Sequence, residues 1–318
     1  MGKTAVVLFN LGGPDSLDAV EPFLFNLFSD PDIFNLPFGQ KLFARLIANR
    51  RAPKVMKEYD LIGGKSPISE WTEKQRDMLE RNLRIDFPDT DVYTAMRYWR
   101  PFTSEVAAKV ESVGYNKIIL LPLYPQYSIT TTGSSYNEWN RWFAGNGKKP
   151  VLIKDYHLND KYIAALNERI DETILQFPAE VRNNIQLVFS AHGTPVSLVK
   201  KGDPYSLQIR ETVEAVMTGR SFSHEHHLCF LSKVGPMKWL EPATDQMIEI
   251  LALDGKINLL IIPISFVSDH VATLFDLEIE YRHTADKCGI QNYMVMKGLN
   301  DSGLFIEALA DLVRNTFN

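Results

Sequence analysis

Two apolar runs constrain this chain more than any other feature. Residues 118–128, IILLPLYPQYS, and residues 259–269, LLIIPISFVSD, share one device: a short aliphatic run, a proline that breaks it, and a turn carrying serine. Apolar runs of this length bounded by turn signals read as strands buried on both faces. Such strands belong to parallel sheets covered by helices. The device occurs once in each half of the 318 residues, which points to two α/β halves of related build with a cleft between them.

Other segments fit that scheme. Strands are expected at residues 5–9, 92–95 and 151–153, and again at 187–192 and 228–231. Helices are expected after Asp15 or Ser16, over residues 69–83, up to about residue 177, and from Asp203-Pro204. The glycines after the first strand, Gly12 and Gly13, lack the G-x-G-x-x-G spacing of a dinucleotide site. The Gly64-Lys65-Ser66 triplet is not a P-loop either, because Tyr59 stands where the first glycine belongs and Pro67 blocks the helix that should follow. The boundary is placed to give an N-terminal domain of residues 1–160 and a C-terminal domain of residues 161–318.

Composition narrows the partners. A formal charge of -5 without a Lys/Arg block leaves no electrostatic footprint for nucleic acid. Cys229 and Cys288 are the two cysteines, too few for a disulfide framework or a Cys-based zinc or iron–sulfur ligand set, and they fit a reducing cytoplasm. The apolar run at the N-terminus is too short for a signal peptide, and no window approaches the roughly 20 apolar residues of a membrane span. Residues 20–47 are rich in phenylalanine (23, 25, 28, 34, 38 and 43) but broken by Asp30-Pro31-Asp32 and Pro37. Three readings are open for them: a core face, an apolar lip over a flat ligand, or a surface that meets a bilayer.

The chemistry gathers where strands end. In residues 185–197, IQLVFSAHGTPVS, a buried strand delivers His192 at its carboxyl end, where open α/β sheets keep ligand sites; the other reading is a core histidine bonded to a backbone carbonyl. Arg97, Tyr98, Trp99 and Arg100 end the strand at 92–95 and suit an anionic ligand with a flat body, or form a solvated rim. The hydroxyl-rich turn at 130–135 offers either N–H groups to an anion or a plain helix cap. Trp239, beside Gly235-Pro236, is a flat wall or a core residue.

In residues 265–280, Ser268 or Asp269 can cap a helix, and at 100° per residue Asp269, Asp276, Glu280 and His283 share one stripe with Ala272 as a gap in it. Acids on a helix face ordinarily mean solvent exposure. Facing a cleft, they would lead a divalent cation and protons toward His270 and His192. The histidines at 224, 226 and 227 would split between two faces of a strand, which favours a solvated strand entry over a metal cluster.

Taken together, LFNLGGP, SDPDIFNLP, IGGKSP, MRYWRP, LYPQYS, TTTGSS, SAHGTP, GDPY, SKVGPMKWL, SFVSDH and LEIEY, in this order from residue 8 to residue 281, resemble the ferrochelatases, which insert ferrous iron into protoporphyrin. The resemblance implies two Rossmann-like domains flanking a porphyrin cleft, with a C-terminal helix packing back across the first domain. It implies His192 as the active-site histidine, assigned to metal binding or proton removal; with the family's glutamate missing, a proton relay would use His270 or water. It further implies Leu11, Arg97, Tyr98, Ser232 and Trp239 at the porphyrin, Arg97 anchoring a propionate, and Asp276 and Glu280 as metal-handling acids. Ala272 stands where the family carries a glutamate.

The substrates implied are Fe²⁺ and protoporphyrin IX, with no permanently bound cofactor and no iron–sulfur cluster. The protein is expected in the cytoplasm, with peripheral membrane contact through residues 20–47. Two other readings stand beside this one: a porphyrin- or haem-binding protein without chelatase activity, motivated by Ala272, and a chelatase for another tetrapyrrole such as coproporphyrin.

Overall fold

The computed structural model describes residues 2–317 except 35–37, 148, 222 and 232–236. Two compact units emerge, residues 1–155 with 306–318 and residues 156–305. The division therefore falls after Asp155, and the last thirteen or so residues join the first unit rather than the second.

In the first unit the order is β1 (Thr4–Asn10), α1 (Val20–Phe28), α2 (Gln40–Leu61), α3 (Ile68–Leu83), β2 (Thr90–Met96), α4 (Thr103–Val113), β3 (Lys117–Pro122), α5 (Ser134–Trp142) and β4 (Val151–Leu152). The strands form one parallel sheet in the order β2-β1-β3-β4. All seven residues of β1 are buried, as a central strand covered on both faces requires. Val7, Phe9, Ala107, Val110, Leu120 and Trp139 belong to one apolar cluster. Each large side chain so buried contributes about 1.5–3 kcal/mol.

The second unit runs α6 (Asp160–Ile174), β5 (Gln186–His192), α7 (Val196–Lys200), α8 (Tyr205–Gly219), β6 (His226–Leu231), α9 (Thr244–Leu253), β7 (Asn258–Ile262), α10 (Tyr281–Cys288), β8 (Asn292–Val295) and the start of α11 (Gly303–Arg314). Its parallel sheet has the order β6-β5-β7-β8. Each sheet thus places its first strand between its second and its third, and the chain reverses direction across the sheet there. Ligands of open α/β sheets bind outside the carboxyl ends of strands at that reversal. In the second unit those are the ends of β5 and β7, followed by residues 192–194 and 263–270.

Three local expectations differ. α1 starts at Val20, after a turn in which Ser16 contributes only its carbonyl to Ala19, so neither Asp15 nor Ser16 caps it. Residues Ala272–Glu280 wind as a π-helix rather than an α-helix. β8 is a strand where the sequence reading expects none: it is four residues long and pairs in parallel with β7. The two glycine loops of the first unit meet: the Ser66 N–H donates to the Pro14 carbonyl at 2.8 Å, and a Cβ on Gly13 would lie 2.5 Å from that of Ser66. Gly12 has φ +76° and approaches Met96 and Trp99 within about 3 Å of where a Cβ would stand, so the turn after β1 needs glycine there.

Candidate active site

β5 outlasts its ladder with β7. The last pair is Phe189 with Ile262, and three residues later His192 still has strand geometry. On the β6 side the Gly193 N–H donates to the Leu231 carbonyl at 2.7 Å. On the other side the His192 N–H donates to Ser265 Oγ at 2.9 Å, and the Tyr205 hydroxyl donates to the His192 carbonyl at 3.0 Å. The imidazole itself is exposed at the strand end.

Phe266 stands edge-on to His192 and His270, its ring centroid 6.1 Å from His192 and 4.4 Å from His270. Desolvation by the surrounding protein draws His192 down to about 4. Its exposure to solvent opposes that loss of hydration and limits how far the shift extends, but the direction leaves the ring neutral at pH 7. His270 is also drawn down to about 4, first by desolvation and then by the charge of a protonated His192, with Asp269 opposing. Its Nδ1 is buried and has no hydrogen-bond partner among the described residues. Two neutral imidazoles therefore stand near one phenyl ring.

Trp239 is half-buried. The Val196 N–H donates to the Lys238 carbonyl at 2.9 Å and the Leu240 N–H to the Thr194 carbonyl at 3.1 Å, so residues 238–240 run along the turn that follows His192. Ser232 lies outside the described residues.

The row of acids is not the single stripe that 100° per residue would give, because i→i+5 winding changes the angle per residue. Asp269 leaves it altogether: its buried carboxylate accepts from Thr273 Oγ1 at 3.0 Å, Gly298 N–H at 3.0 Å and Asn300 Nδ2 at 2.7 Å, and pins two loops together. Asp276 is half-buried and Glu280 is exposed. Ala272 is buried in an apolar cluster with Val188, Leu231, Ile261 and Leu277. Of the other histidines, His157 bonds Glu211, His224 lies between the Arg182 carbonyl and Ser223, and His227 bonds Gln186.

In the first unit, Leu11 is half-buried at the carboxyl end of β1, where its carbonyl accepts from the Tyr98 N–H at 2.9 Å. Arg97 and Tyr98 are not an open rim. Arg97 pairs with Asp30 at 3.0 Å, donates from Nε to Ser134 Oγ at 2.8 Å and lies over the Tyr98 ring at 5.0 Å. Tyr98 is 0% exposed and donates to Asp30 Oδ2 at 2.7 Å. Ser134, from the hydroxyl-rich turn, donates to the same oxygen at 2.5 Å. The guanidinium's charge is thus met inside the protein, by a carboxylate that sequence reasoning took for a chain break. Asp30 lies 68 residues from Tyr98 and 104 from Ser134, so no local spacing announces the cluster. Ser128 caps the start of the turn through the Thr130 N–H at 3.2 Å.

Solved structures share this architecture. SirB from Bacillus subtilis with Fe³⁺ superposes with a TM-score of 0.56 at 12% identity, covering 99% of this chain and 95% of that one. CbiX, described as the terminal enzyme for biosynthesis of sirohaem in denitrifying bacteria, gives a TM-score of 0.53 at 11% identity over 99% and 100%. The fold is therefore that of the class II chelatases, two helix-flanked parallel sheets of four strands each. A family model described as Ferrochelatase matches residues 3–317. Ferrochelatases from Citrifermentans bemidjiense, Geobacter metallireducens and Aquifex aeolicus are 46%, 47% and 44% identical, each over 98% of this chain and at least 98% of their own length. The chain belongs to the ferrochelatase family.

Proposed function

We propose that this protein inserts ferrous iron into protoporphyrin IX, the metallation that completes haem synthesis, with iron and porphyrin both as substrates. The observation that carries the reading is the neutral, exposed imidazole of His192 at the sheet reversal, with Phe266 and His270 against it, in a chain that matches ferrochelatases end to end. Metallation removes two pyrrole protons and needs an acceptor that is unprotonated at pH 7. His192 is that acceptor, and the unpartnered Nδ1 of His270 is the second nitrogen in reach of the traffic. Glu280 and Asp276 offer oxygen ligands to a borderline cation that is losing water. Trp239, on the segment that runs along the turn after His192, supplies apolar surface against which binding energy bends the macrocycle. Arg97 and Tyr98 act on the porphyrin by fixing Leu11 and the β1 turn, since their own polar groups are already bonded.

The test is anaerobic Fe²⁺ with protoporphyrin IX, followed by loss of free-porphyrin fluorescence, with coproporphyrin in parallel. Turnover with neither porphyrin would leave a binder; turnover with coproporphyrin alone would change the substrate. Two cysteines, one of them the buried Cys229 whose thiol is pushed up to about 12, do not make the four-thiolate set of a cluster.

The reading also places the enzyme in the cytoplasm, touching a bilayer from one side. Phe38, just before α2, and Leu42 and Leu46, in its first turns, are 92%, 66% and 61% exposed and interleaved with Lys41 and Arg45. Apolar residues flanked by cations suit an anionic interface. No helix among the described residues is long and apolar enough to cross a membrane. Sedimentation with phosphatidylserine vesicles, lost in Leu42→Glu/Leu46→Glu, is the expected result.

A further inference from the structure

We propose that Tyr205 and Ser265 are positioning residues that hold the His192 peptide for catalysis. The need for them follows from the topology. A parallel strand presents the N–H and C=O of one residue to the same neighbour, and His192 turns both toward β7, which has already ended. Buried main-chain groups without partners are costly, and near a reacting centre they would leave the peptide free to rotate. Two hydroxyls from distant parts of the chain take the place of the missing strand.

Hydroxyls bond both main-chain groups of His192. The His192 N–H donates to Ser265 Oγ at 2.9 Å, and the Tyr205 hydroxyl donates to the His192 carbonyl at 3.0 Å.

The two hydroxyls are placed to matter. Tyr205 is the first residue of α8 and is buried, and burial pushes its phenol well above its ordinary value, so it remains a donor at every pH the enzyme meets. Ser265 is followed directly by Phe266, the ring that stands against both histidines. One clamp therefore sets the peptide of His192 and the backbone next to its aromatic neighbour together. Displacements of about 1 Å at a reacting group cost on the order of a hundredfold in rate.

This rests on His192 being the proton acceptor, and the experiment separates the two ideas. Tyr205→Phe, Ser265→Ala, Ser265→Thr and His192→Ala are compared for kcat and KM of Fe²⁺ insertion and for protoporphyrin affinity by fluorescence. Tyr205→Phe and Ser265→Ala are expected to lower kcat about tenfold or more with porphyrin affinity within about twofold of wild type, and Ser265→Thr to recover most of the loss. In a His192→Ala background, the same two changes should cost nothing further. Should Tyr205→Phe fail to fold, Ser265→Ala and its threonine rescue decide alone. Unchanged kcat in Ser265→Ala, or equal losses with and without His192, would overturn the positioning role. Full activity in His192→Ala would instead overturn the assignment of the acceptor.

Discussion

Arg97 shows how residue type and residue role part company. The sequence offers a guanidinium at a strand end beside two aromatics, a pattern suited to a carboxylate ligand, and the fold supplies that carboxylate itself in Asp30. Removing one partner of a buried pair leaves the other charged and unmatched, at about 3–5 kcal/mol. Arg97→Leu is thus expected to lower the melting temperature markedly and to weaken protoporphyrin and its propionate diester alike. A loss confined to the free acid, with unchanged melting, would show instead that Arg97 leaves Asp30 to bind the ligand. His192 and His270 give a second expectation at this scale. Both are depressed below their unfolded value near 6.5. The unfolded chain then binds more protons than the native one between that value and about 4, so stability falls as pH drops through this window and is fully present above it. Urea midpoints from pH 7.5 to 4 should fall less steeply in a His192→Gln/His270→Gln variant than in wild type. Parallel slopes would mean that other groups carry the acid sensitivity.

At the scale of elements, what was legible depended on whether one period governed the stretch. The strands at β1, β3, β5 and β7 are continuous apolar runs closed by turns, and they appear where those runs lie. Residues 272–280 defeat that method, because i→i+5 winding is set by how the stretch packs and leaves no 3.6-residue pattern to read. The strand-end location of His192 was therefore readable, whereas the clamp on its peptide and the Asp30 cluster were not, each joining residues far apart in the chain. Ala272 is the sharpest consequence. The resemblance marks it as a missing carboxylate, and the structure puts it among Val188, Leu231, Ile261 and Leu277. A glutamate there must desolvate part of its side chain, at about 1–3 kcal/mol when it finds no partner. We expect Ala272→Glu to melt several degrees lower and to change kcat by less than about tenfold, since His192 and His270 already provide neutral acceptors. Melting curves and Fe²⁺ turnover check both parts; a gain in kcat of about a hundredfold, within the range of general base catalysis, would show the native protein to be an impaired chelatase.

Across the whole molecule, the first unit is built from both ends of the chain. Residues 1–155 supply its sheet, and the segment from Ile306 returns to it after the whole second unit has been traversed. That return is well secured. Leu309, Ala310 and Val313 are buried, Phe317 stacks on Phe87 at 4.3 Å, and Arg314 pairs with Asp86 at 2.7 Å and donates to Asn82 at 2.9 Å. Two large aliphatic side chains and a stacked ring contribute on the order of 5 kcal/mol in burial, set against the 5–15 kcal/mol that a domain typically has in total. The exposed ion pair adds little to this. A chain ending at Phe305 should therefore lose much of the first unit's stability while leaving the sheet of the second, with His192, Phe266 and His270, intact by its own contacts. Limited proteolysis of such a chain should cut first within residues 1–155 and spare 156–305, and histidine NMR signals of the second unit should persist. Equal protease resistance of both units in the truncated chain would show that β1 to β4 and their helices hold together without the returning segment.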